Sequence, residues 1–309
     1  MWHFLFEIVV QVMLPIFVLL IAGALLHRKF NFHLASFSKL LTNFFLPVVV
    51  FVNISNSRLD AELLLNIGGF LVIQFVILAL LSWGLVKLLK IDSSLAPTFQ
   101  NSIVLMNSGN FGLPVSQLVF AGNPLGISVQ VIVLMFQNLI TYTYGLMISA
   151  STKSSGFWRN LSELFKTPII YALVLGLIFY QVPWELPVFI QTPMEQVSNG
   201  FIAMALFVLG AQIAYPTIKQ FSLLFFISIV GRLVAAPLIG LVVIWMLGLD
   251  GTVAQGLLIA SSFPMSRNSA LFALEYNNHP EYAAQAVLVS TIASCFTVTF
   301  FIYLSQLLF

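Results

Sequence analysis

The chain alternates between long apolar runs and short polar gaps. A bilayer core needs about 20 apolar residues when crossed as a helix, so each run is predicted to span the membrane. The runs fall near residues 4–26, 35–56, 62–89, 95–120, 124–150, 164–181, 193–214, 219–247, 252–276 and 280–308. They predict an all-α polytopic membrane protein with ten transmembrane helices. The sixth run is short. Phe157, Trp158, Leu161, Leu164 and Phe165, beside Arg159 and Lys166, precede it and predict a cytoplasmic linker at 152–166 lying flat at the interface.

Two runs carry polar interruptions. In the ninth, Pro264 has no N–H to donate, and its ring is expected to clash with the carbonyl of Ala260. Ser261, Ser262, Ser266, Asn268 and Ser269 surround it, and Arg267 adds a permanent charge near mid-membrane. Such a charge costs about 2.5–3.5 kcal/mol on insertion scales, and broken backbone at that depth must be buried in protein or line a wet cavity. The plainer reading is a proline kink with Arg267 snorkelling or paired for structure. The fourth run is also interrupted, at Asn107-Ser108-Gly109-Asn110-Phe111-Gly112-Leu113-Pro114. Its glycines loosen the helix, and Pro114 suits the first turn of a new half-helix.

The two interruptions fall at matching places in an internal repeat. At an offset of 155 residues, Gln100 falls on Gln255, Asn123 on Asn278 and Gln130 on Gln285, and the five span pairs coincide. Five spans per half is odd, so the halves are expected to be inserted in opposite senses, as an inverted-topology repeat. The expected division is 1–151 for the first repeat and 167–309 for the second.

Composition narrows the class. Hydrophobic residues make up 60% of the chain and charged residues 7%, which suits a membrane protein and no soluble core. The net charge of +2 gives no reason to expect nucleic acid as a partner, and the single Cys295 excludes a disulfide framework. With the N-terminus outside, Arg28, Lys29, Lys39, Lys87, Lys90, Lys153, Arg159, Lys166 and Lys219 face the cytoplasm and only Arg58 faces out. This positive-inside bias predicts both termini outside, with the first run kept as an anchor.

The two half-helix N-termini, read as following Gly112 and Pro264, are expected to point to the midplane and favour an anion. Arg267 adds a fork suited to a carboxylate, and Asn107, Ser108, Asn110, Ser262 and Asn268 are placed to orient it. Cations are poorly served, since no Asp or Glu lies near the centre of a span. The alternative leaves Arg267 capped by nearby carbonyls, away from substrate. Arg232, in the eighth span, reads as paired with a carbonyl or acid of a neighbouring helix, or as having a substrate or coupling role. Pro15, Pro47 and Pro237 read as kinks. Asn43, Asn53 and Asn66 read as helix–helix bonding groups, or as lining a path. The four histidines sit at span ends, and no catalytic, cofactor or metal motif appears, so an enzyme is not expected.

Phe272-Ala273-Leu274-Glu275-Tyr276-Asn277-Asn278-His279-Pro280-Glu281 resembles the Phe-Ala-Lys-Glu-Tyr-Asn-x-His-Pro-Asp signature of plant auxin efflux carriers. Arg232-Leu233-Val234-Ala235-Ala236-Pro237 resembles their Arg-Phe-Leu-x-Gly-Pro, and Asn43 to Phe51 their second span. Lys166-Thr167-Pro168, with the apolar run ending Leu175-Gly176-Leu177, is similar to the same place in bacterial relatives. Over nearly its whole length the chain resembles a bacterial, inner-membrane member of the auxin efflux carrier family, which includes malate and malonate permease-like proteins. The resemblance implies a fold shared with bile-acid sodium symporters. Spans one, two, six and seven would form a scaffold. Spans three to five and eight to ten would form a transport domain whose broken spans cross at Pro114 and Pro264, with Asn107 and Asn110 in the crossover. It also implies elevator-like alternating access and a homodimer. Ser269 stands where plant members have a second proline, Arg267 where they have an apolar residue, and Leu274 where they have lysine. These departures point away from auxin and toward a smaller, more polar anion such as a dicarboxylate. The expected function is therefore a secondary carrier for a small organic anion. Alternatives are a sodium- or proton-coupled symporter of the same fold and, more distantly, a channel or membrane sensor.

Overall fold

The computed structural model describes residues 9–56, 61–150, 165, 168–182, 186–214 and 222–309. The expected interfacial linker, Phe165 apart, lies outside them, as do His3, Glu7, Arg58, Lys153, Arg159, Lys166 and Lys219. The described residues form helices: α1 (Leu14–Phe30), α2 (Leu34–Ser55), α3 (Ala61–Leu88), α4 (Ala96–Val104), α5 (Leu113–Val119), α6 (Pro124–Ser149), α7 (Pro168–Gln181), α8 (Val188–Gln212), α9 (Leu223–Leu247), α10 (Gly251–Ser261), α11 (Arg267–Tyr276) and α12 (Pro280–Leu308). Of these, α2, α3, α6, α8, α9 and α12 are long and apolar enough to cross a membrane. Large side chains such as Leu65, Leu80, Trp83, Trp245 and Phe296 point outward from them, as a lipid-facing surface requires. The protein is thus an all-helical, polytopic membrane protein. The seventh run begins earlier than expected, at Val188, because Pro187 rather than Pro193 occupies the helix start.

Proline shapes the helices in a recurring way. Pro47, Pro114 and Pro237 each follow one wide, π-helical turn, at Leu41–Phe45, Ser108–Gly112 and Gly231–Ala235. In each case the residue just before the proline donates its N–H five residues back, Leu46 to Leu41, Leu113 to Ser108 and Ala236 to Gly231. The wide turn absorbs the missing donor and makes room for the ring within a continuing run of helix. A further wide turn, Val9–Met13, precedes Pro15, and another, Thr141–Gly145, lies inside α6.

Packing follows small residues. A methyl group at Gly23 would lie 2.0 Å from the carbonyl oxygen of Phe207, and one at Gly210 would lie 2.0 Å from that of Leu20. Helices α1 and α8 therefore meet backbone to backbone. Helix α7 packs on α2, and α2 on α8, round Val49, Val50, Ile54, Phe201 and Ala205. The short helices have different neighbours: α4 lies against α3, α9 and α12, and α10 lies against α6, α9 and α12.

The fourth and ninth runs are both broken, and the breaks pair with each other. Met106 and Met265 form an antiparallel bridge, in which Asn107 donates its N–H to Pro264 O at 2.8 Å and Ser266 to Leu105 O at 2.9 Å. Each break thereby satisfies backbone groups of the other, which a membrane interior demands. The buried rings of Phe111 and Phe263 pack edge to face beside this bridge.

This placement corrects three expectations. The two breaks meet at Met106 and Met265, with Pro264 giving its carbonyl to the pairing as expected of that residue, while Pro114 lies further on, in the first turn of α5. The half-helix of the fourth run starts at Ser108, not after Gly112, and that of the ninth starts at Arg267 behind Ser266. The clash expected at Ala260 does not arise, because α10 ends at Ser261 and the carbonyl of Ala260 accepts the N–H of Phe263.

Candidate functional site

The crossing borders a cavity of about 120 Å³. Asn107, Ser108, Gly109 and Asn110 line it from the start of one half-helix, and Ser266, Arg267 and Asn268 from the start of the other. Thr42 and Leu46 of α2, Leu134, Gln137, Asn138, Thr141 and Tyr142 of α6, and Ile169 of α7 complete the wall. Three wide turns meet here, those carrying Thr42, Ser108–Asn110 and Thr141–Tyr142. Turns of this kind occur often at functional sites.

The electrostatics follow from helix direction. Two half-helices begin at the cavity, and each N-terminus carries about half a positive charge. The Ser266 side chain caps the second, accepting from the Asn268 N–H at 3.2 Å. Arg267 reaches across to α2, donating from Nη1 to Ser38 Oγ at 3.2 Å, and Gln212 of α8 donates to the same oxygen at 3.2 Å. Two donors on the cavity-lining residues are left over: Asn107 Nδ2 and Arg267 Nε are both buried without a partner. Unmet buried donors cost about 1–3 kcal/mol each. Arg267 also lines a second, mainly apolar chamber of about 500 Å³ between α8, α11 and α12.

Of the residues singled out in the sequence, Asn107, Ser108, Asn110, Arg267 and Asn268 line the cavity together. Gly112, Pro114, Ser262 and Pro264 do not. Gly112 is a packing position, where a methyl group would lie 2.5 Å from the Phe263 ring. Pro114 is buried in α5. Ser262 turns its hydroxyl to Ile259 O at 2.6 Å, and Pro264 gives its carbonyl to Asn107. Asn43 and Asn53 bond back to Lys39 O and Val49 O of their own helix rather than across helices. Sequence reasoning passed over Ser38, Thr42, Gln137, Asn138, Thr141, Tyr142 and Gln212. Each sits in a helix with no local break in its pattern except the wide turn itself.

The sequence profile of a family described as membrane transport protein matches residues 8–302. The chain belongs to this family, that of the auxin efflux carriers. It is a membrane transporter and not an enzyme. This auxin efflux carrier family member is 24% identical over 307 residues to the uncharacterized transporter YfdV of Escherichia coli K12, covering 96% of this chain and 97% of that one. The same figures hold for the Shigella flexneri transporter of that name. It is also similar to auxin efflux carrier component 8 of Arabidopsis thaliana, with 25% identity over 156 residues, 48% of this chain and 42% of the relative.

Proposed function

We propose that the protein is a secondary carrier that moves a small organic carboxylate across the bacterial inner membrane by elevator-like alternating access. One observation carries the reading. The cavity at the crossing gathers two half-helix N-termini, the Arg267 guanidinium and the unmet donors of Asn107 and Arg267, and this set suits an anion. Its size limits the ligand. A cavity of about 150 Å³ admits benzene, so about 120 Å³ suits a short-chain carboxylate.

The architecture we propose is ten spans in two inverted repeats. In support, the matched residues Asn123 and Asn278 both touch the other repeat's broken span, one by its side chain and the other by its backbone carbonyl. Asn123 Nδ2 donates to Thr252 Oγ1 of α10 at 3.2 Å, while Asn278 O accepts from Thr98 Oγ1 of α4. Each contact falls at the start of that span. The packing of α1, α2, α7 and α8 on one another supports their role as a scaffold, with the remaining helices as the moving body. The second chamber then leads to the site from the cytoplasmic side, with both termini outside. The homodimer belongs to this reading through the family alone.

Counterflow in proteoliposomes tests it, using labelled acetate, lactate, pyruvate, malonate and malate with sodium or choline outside. Saturable exchange of a small carboxylate is the expected result. Strict sodium dependence would make the protein a symporter, and conductance at channel rates without exchange would remove the carrier reading.

A further inference from the structure

We propose that Arg232 is a tethered cation, filling the place between two helix C-termini where a coupled sodium ion would otherwise bind. The half-helices that begin at the anion cavity have counterparts that end at the crossing. Helix α4 ends at Val104 and α10 at Ser261, and their last carbonyls have no helical partner. Arg232 supplies one. Its Nη1 donates to Ile103 O at 3.1 Å, and its Nη2 donates to Ser261 O. Each C-terminus carries about half a negative charge, so the two together balance one guanidinium. In transporters with broken helices, such C-terminal ends and unwound carbonyls are where sodium or a proton is held.

The surroundings are built to this end. Arg232 is 1% exposed, and it sits in the wide turn Gly231–Ala235 of α9. Gln74 of α3 donates to Ser261 Oγ at 2.8 Å and to Ala236 O at 3.1 Å, tying the end of α10 to the same turn. A methyl group at Gly240 would meet Ser261 Oγ at 2.7 Å, so α9 needs a glycine there to come this close. A small cavity of about 20 Å³ adjoins Arg232, Gln74 and Gln137. It has room for about one water. Gln137 and Met106 also line the anion cavity, so the two chambers share these two residues as a wall. The inference rests on the paired breaks of the proposed architecture and not on the choice of anion.

The test reads thermal unfolding of purified protein in sodium chloride against choline chloride at constant ionic strength, and with low guanidinium added. Wild type is expected to unfold at one temperature in both salts. Arg232→Ala should unfold lower in choline and recover saturably with sodium or guanidinium, and Arg232→Lys should keep most of the wild-type temperature while Arg232→Gln does not. A saturable sodium shift in wild type that Arg232→Ala leaves unchanged would put a cation elsewhere and overturn the proposal. So would an Arg232→Ala protein indifferent to every cation. If that variant does not fold, the Lys and Gln variants decide: equal loss in both, or in neither, would mean that charge is not what the crossing needs. No transport is measured, so failure here leaves the carboxylate reading standing, and failure of counterflow leaves this one.

Discussion

Replacing Arg267 separates binding from folding. Among the described residues its side chain bonds to the neutral Ser38 Oγ through Nη1, and Gln212 still donates to that oxygen when Arg267 is gone. Arg267→Ala therefore strands no buried carboxylate among the described residues. The lost bond, worth about 1 kcal/mol net, is offset by relief from burying a charge. The unfolding free energy should move by no more than about 1 kcal/mol. Binding is different. Truncating one side of a buried charge pair costs about 2–5 kcal/mol, which is a loss of about 30- to 5000-fold in affinity. Arg267→Lys keeps the charge without the planar fork and should fall between wild type and alanine. Calorimetric titration of purified protein with the carboxylate that exchanges best reads the affinity, and thermal unfolding without ligand reads the stability. Wild-type affinity in Arg267→Ala would refute the reasoning. So would a collapse of stability, since Arg267 would then be a strut between α11 and α2.

Asn107→Ala removes a buried amide whose Nδ2 has no partner. It should leave stability unchanged or raised, yet weaken carboxylate binding by about 10- to 150-fold, the worth of a charge-assisted hydrogen bond of about 1.5–3 kcal/mol. Gly23→Ala and Gly210→Ala each place a methyl 2.0 Å from a backbone carbonyl oxygen, which no rotamer change relieves. Each should cost about 1–3 kcal/mol in unfolding free energy, and an unchanged midpoint would show that α1 and α8 do not meet as described. For topology, Cys295 is buried and should not react. A cysteine at Ser93 should be shielded from an impermeant reagent outside intact cells, and one at Gly122 should label; the reverse would invert the orientation.

The break in the ninth run was legible because Pro264 stands among serines and beside Arg267, and few apolar helices tolerate that mixture. The fourth run was legible only as interrupted. Gly109, Gly112 and Pro114 are the strong local signals, and they drew the expected break downstream of the true one. Leu105 and Met106 are ordinary helix residues; they leave the helix because Ser266 and Pro264 offer them an antiparallel partner. That is a tertiary cause without a local mark. The prolines announced irregular helices, but not that wide turns would absorb them and carry Thr42 and Arg232 into place. Ser38 and Gln212 were invisible for the same reason. Each lies in its own helix, and only the packing of three helices brings them to Arg267.

The most direct measurement is the distance from a bound carboxylate to the crossing. Solid-state NMR in bilayers can read it as dipolar dephasing between a ¹³C-carboxylate ligand, the best exchanger among the five acids, and protein labelled with ¹⁵N in asparagine side chains or in arginine. Strong dephasing to one Arg guanidinium and one Asn amide, lost respectively in Arg267→Lys and Asn107→Ala, is the expected result. A ligand that is bound and immobile yet shows no coupling to either nitrogen would place the substrate elsewhere and contradict an anion site at the meeting of the two half-helices.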